Sequence, residues 1–99
     1  MSNALVNDFL GIPPGQKVDM DRLWTFIENC PIRHHGNRRY MPSDTVSIRF
    51  ARDGNISMSY SQMAHAMGVS SVRVRQLLAK ARRDMLHPSN RKALENAYI

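Results

Sequence analysis

The chain has 99 residues and a formal net charge of +6, from 14 Lys and Arg against 8 Asp and Glu, with 42% apolar residues. One small domain of this size leaves little scaffold to wall in a deep substrate cleft, and the composition excludes a wholly disordered polymer. No apolar run approaches a membrane span, no secretory segment opens the chain, and the single cysteine, Cys30, builds no internal disulfide framework, so a cytoplasmic, reducing setting is expected.

The elements follow in chain order, within an N-terminal portion 1–58, a segment 59–86 and a tail 87–99. Residues 3–10 read as a short helix ended by Gly11 and the Pro13-Pro14-Gly15 run. Asp19 or Asp21 caps a second helix through about Cys30, with Leu23, Trp24, Phe26 and Ile27 on one buried face, and Pro31 stops it. Residues 31–44 read as a polar connecting loop. Val46, Ile48 and Phe50 then alternate with Ser47 and Arg49, and Asp53-Gly54-Asn55 supplies turn chemistry. This pattern predicts a short β-hairpin over about 45–58, with a third helix packing Val46 and Phe50 inward as the competing reading. Residues 89–98 offer a helix capped by Ser89, with Ala93, Leu94 and Ala97 for packing.

Segment 59–86 carries the strongest signal. Ser59 with Gln62 three residues on has the spacing of a capping box, and Met63, Ala64 and Met67 form an apolar stripe. Gly68 can take positive φ, and Ser70 caps a second helix to about Leu86 with Val74, Leu77, Leu78, Ala81 and Met85 inside. Helix, tight turn and helix make a helix-turn-helix, so the expected fold is mainly α. Ser71, Val72, Arg73, Arg75 and Gln76 are left outward near the start of the second helix, where a major-groove reader needs them, with Arg75 expected to read a base.

Charge agrees with this reading. Residues 1–58 are nearly balanced, whereas residues 59–99 carry seven Lys and Arg against only Asp84 and Glu95. A polyanion is the expected partner, because no broad Leu, Phe or Trp face accompanies these cations to suit a membrane surface.

The run from Ser59 through Tyr60, Ser61, Gln62, Met63, Ala64 and on to Gly68-Val69-Ser70 resembles the start of sigma-factor region 4. The continuation Ser71 to Met85, with its closing Ala81-Arg82-Arg83, is similar to that family's recognition helix. The likeness covers about 27 residues, and Val72 departs from it, standing where the family has a small or acidic residue. Nothing upstream resembles the parts that bind core polymerase and melt a promoter. The resemblance implies a role in bacterial or phage transcription, with base contacts from Ser71, Arg73, Arg75 and Gln76 and phosphate contacts from Lys80, Arg82 and Arg83.

Val72 joins the base-contacting set by position, and Ser59, Tyr60 and Ser70 join the phosphate-contacting set beside the two helix starts. Arg38 and Arg39 belong to a second basic cluster with Arg33, His34, His35 and Tyr40, which either touches the DNA backbone or is an exposed loop. Arg82 and Arg83 can equally complement the negative end of their helix, and Lys80 can stand free in solvent.

These residues predict a small bacterial, phage or plasmid transcriptional regulator binding double-stranded DNA as a homodimer. Leu23, Trp24 and Ile27, or Leu94 and Tyr98, are the expected dimer surfaces. The alternative is an adaptor that binds RNA polymerase or a sigma factor with little DNA affinity of its own. Cys30 beside His34 and His35 has poor zinc spacing, since adjacent side chains diverge, and no nucleophile or acid–base pair is convincing. No metal, cofactor or catalysis is expected.

Overall fold

The computed structural model describes residues 5–30 and 42–99. The expected basic cluster with Arg38 and Arg39 therefore lies outside the described residues. The described chain is mainly helical: α1 (Leu5–Phe9), α2 (Met20–Asn29), α3 (Pro42–Arg49), α4 (Tyr60–Met67), α5 (Ser71–Met85), a 3-10 turn (Pro88–Asn90) and α6 (Arg91–Glu95).

Helix α2 begins where Asp19 accepts the Arg22 N–H on its carboxylate at 3.1 Å, which satisfies one of the four open donors of a helix start. It buries Leu23, Trp24, Phe26 and Ile27, as their three- and four-residue spacing requires. Trp24 also donates its indole N–H to the Arg52 carbonyl at 3.0 Å, so its polar edge is satisfied inside the core. Leu23, Trp24, Ile27 and Leu94 are buried within this chain and Tyr98 is half-buried. Neither expected dimer surface is available as an apolar face.

The expected hairpin over 45–58 is overturned. Residues 42–49 are helical, and what remains of a hairpin among the described residues is a bridge between Phe50 and Ile56, with the Ala51 N–H donating to the Asn55 carbonyl and the Ser57 N–H to the Arg49 carbonyl, both at 2.8 Å. Val46 and Phe50 are four apart, so a helix places both on one side, and both are buried together with Thr45. Pro42 opens the helix at a position where a missing N–H costs nothing, and Arg49 lies in its last turn, where a cation meets the negative helix end. Residues 42–44, assigned to the connecting loop, belong to this helix instead. The turn chemistry survives: Asn55 donates its N–H to Asp53 at 2.9 Å, and Gly54 takes a φ of 89°. The Gly54 carbonyl accepts the Val6 N–H at 2.9 Å, tying the turn to α1, where Phe9 packs on Phe50 with ring centroids 5.3 Å apart.

Helix α5 is the central rod. It packs on α3 and α4, α3 packs on α2, and α2 on α6. The tail closes the domain, with the Ala97 carbonyl accepting from Asp19 N at 2.8 Å and Ile99 N donating to Lys17 at 2.9 Å. Ser89 does not cap the last helix. His87 caps the 3-10 turn instead, its Nδ1 accepting the Ser89 N–H at 3.1 Å, and Ala93 is exposed while Leu94 and Ala97 are buried. No helix among the described residues is long and apolar enough to cross a membrane.

Candidate nucleic-acid interface

Two caps and one glycine set the angle between α4 and α5. Ser59 Oγ accepts the Gln62 N–H at 3.1 Å while Gln62 Oε1 accepts the Ser59 N–H at 2.8 Å, a reciprocal capping box. Gly68 ends α4 in the left-handed region with φ 69°, and the next N–H, on Val69, returns to the Ala64 carbonyl at 3.1 Å. Ser70 Oγ then accepts the Arg73 N–H at 3.1 Å to start α5. Met63, Met67, Val74 and Leu77 are buried in the wedge between the helices, and Ala64 and Val69 pack at its edge.

Successive residues of a helix turn by about 100°, so the sides of α5 can be sorted. Val74, Leu77, Leu78, Ala81 and Met85 are buried and define the inner side. Opposite them runs an exposed ridge of Val72, Gln76, Ala79 and Arg83. Arg73 and Lys80 lie along one flank, and Ser71, Arg75 and Arg82 along the other. The ridge is the part of the rod that reaches furthest from the domain. Val72 is 64% exposed at its leading end, and Arg73 approaches Gln76 Oε1 at 3.5 Å.

The flanks separate the expected phosphate contacts. Arg82 Nε donates to the Phe9 carbonyl at 2.9 Å, binding the far half of α5 to α1. Lys80 Nζ lies 4.0 Å from Asp84 Oδ2, and the two side chains keep only 19% and 10% of their exposure. The Asn90 amide donates to the Asp84 carbonyl at 2.8 Å, but Asp84 Oδ2 has no hydrogen-bond partner, so Lys80 is its nearby counter-charge. Both cations face the protein more than the ridge does. Arg83, Arg73 and Arg75 are exposed and form no ion pair among the described residues.

Arg75 bends toward α4, its guanidinium carbon 5.2 Å from the centre of the Tyr60 ring. Arg49 of α3 meets the same ring at 4.1 Å. Arg49 is not legible in the sequence, because a strand over 46–50 turns it to an undefined outer face. Ala79 gives no signal there because it carries no chemistry; its small, exposed side chain keeps the ridge low between Gln76 and Arg83.

Cys30 sits at the C-cap of α2, where its Sγ accepts from the Asn90 amide at 3.5 Å. Among the described residues no three His, Cys, Asp or Glu side chains converge on a point. The chain matches no protein-family model, no curated protein and no solved structure.

Proposed function

We propose that this protein binds double-stranded DNA through α5 and acts in the cytoplasm as a small transcriptional regulator of the helix-turn-helix type, without catalysis. The observation that carries the reading is the outer ridge of α5. It is exposed along its whole length, flanked by Arg73 and Arg75, which form no ion pair among the described residues, and raised from the domain by a capped two-helix wedge. A major groove admits one such helix, with the N-terminal turns nearest the base edges.

In this arrangement Gln76 faces base edges as a two-pronged amide, Arg73 reaches guanine from the flank, and Val72 meets a thymine methyl, the one apolar group that the groove offers. Ser71 and the open N–H groups at the start of α5 approach the backbone, as do Ser59 and Ser70 beside their caps. Arg83 holds a phosphate at the far end. A single helix-turn-helix covers one half-site, so two copies on a two-fold site complete the binding unit.

The test is a polarisation titration of the full chain against random duplex at two salt concentrations. Affinity falling roughly a hundredfold between about 50 and 200 mM salt supports the reading. Absence of binding at low salt, with capture of RNA polymerase by the same preparation, favours an adaptor instead.

A further inference from the structure

Arg49, Tyr60 and Arg75 come from three helices, and only the last two belong to the helix-turn-helix. The guanidinium carbons of Arg49 and Arg75 lie 4.1 and 5.2 Å from one ring centre. Among the described residues Arg49 spends a single donor, on the Met58 carbonyl at 2.7 Å. Arg75 makes no hydrogen bond among the described residues, and no carboxylate pairs with either group there. Two like charges gathered at one ring repel each other, and the ring attracts both through its negative face. An anion that both guanidinium groups reach offsets the repulsion with two attractions. Most of the planar N–H donors of both side chains are open among the described residues, and their fork geometry matches the oxygens of a phosphate.

The location selects the source of that phosphate. Tyr60 is the first residue of α4, and Arg75 stands on the flank of α5 rather than on its ridge. In a helix-turn-helix complex the first helix crosses the sugar-phosphate backbone while the second lies in the groove. We propose that Arg49 and Arg75, held on the Tyr60 ring, grip one backbone phosphate of duplex DNA at the edge of the groove that α5 enters. This inference rests on the DNA-binding reading. It brings α3 into the interface and moves Arg75 from reading a base to holding the backbone.

Salt-dependent titration of the full chain on specific and random duplex tests it. Arg49→Gln should lower the slope of log affinity against log salt by about 0.9. It should weaken binding several-fold on both duplexes alike, with far-UV helicity retained. Arg75→Gln, at an exposed position where folding is not at stake, should do the same. The double variant should lose less slope than the two single losses added, because both groups hold one phosphate. An Arg75→Gln protein with the parental slope but altered sequence preference would overturn the site, whatever happens to Arg49→Gln. So would parental slopes in both folded single variants that still bind duplex, and this result leaves the DNA-binding reading standing. A parental protein that binds no duplex at low salt removes both.

Discussion

On its inner side α5 buries Val74, Leu77, Leu78, Ala81 and Met85, whereas on its outer ridge Val72, Gln76, Ala79 and Arg83 stand in solvent. The two sides belong to one rigid rod, yet their side chains point in opposite directions and share no partners. Distant sites without shared partners contribute independently. Stability should therefore follow the inner side and DNA binding the outer one, and substitutions can be chosen to break that division.

The largest effect is expected inside. Leu77→Ala removes a buried side chain from the wedge between α4 and α5 and should lower unfolding free energy by about 2–5 kcal/mol, read from the denaturant midpoint. On the ridge, Gln76→Ala should leave that midpoint within about 0.5 kcal/mol of the parent. It should cost about 1–3 kcal/mol of affinity on a selected duplex, with a much smaller loss on random duplex. A matching loss of stability would show that Gln76 supports the fold and would erase the division at that position.

Two further substitutions lie between the sides and sharpen the comparison. Lys80→Ala leaves Asp84 without its nearby cation while its carboxylate stays mostly buried. A loss of about 1 kcal/mol of stability is expected, discounted because the pair is 4.0 Å apart and not fully enclosed. Lys80→Ala combined with Asp84→Asn should recover part of it. If Lys80 instead serves DNA, its removal leaves the denaturant midpoint unchanged and lowers the salt slope. An effect of similar size belongs to the turn. Gly68→Ala meets no atom within 4 Å of the added Cβ, so only the left-handed φ of 69° opposes it, and a cost of about 1 kcal/mol is expected.

The legible parts of this fold are those whose signals are local. The cap of α2 at Asp19, the Ser59–Gln62 box, the Gly68 turn and the inner side of α5 all follow from spacings of three or four residues, and the structure has each of them. Helix α3 was ambiguous for a specific reason. Val46, Ile48 and Phe50 satisfy a period of two, while Val46 and Phe50 alone satisfy a helical turn, and eight residues are too few to separate the patterns. Burial of Thr45, which the strand pattern leaves outside the apolar set, marks the helix in the structure.

What could not be read were the roles of the flank cations. Arg82 reaches a carbonyl 73 residues away in sequence, Lys80 lies beside an aspartate enclosed by the Asn90 turn, and Arg75 meets a ring that also holds Arg49. Spacing along one helix says that a residue faces sideways, but the neighbour waiting there is supplied by another element.

Selection of bound sequences from a random duplex library by the full chain tests the ridge of α5 as a groove reader most directly. The prediction is an enriched motif with two-fold related halves. Within it, replacing one thymine by uracil weakens the parental protein but not Val72→Ala, since only the parent has a methyl contact to lose. A library recovered without enrichment, from protein whose helicity is intact, would contradict the claim that this ridge reads DNA.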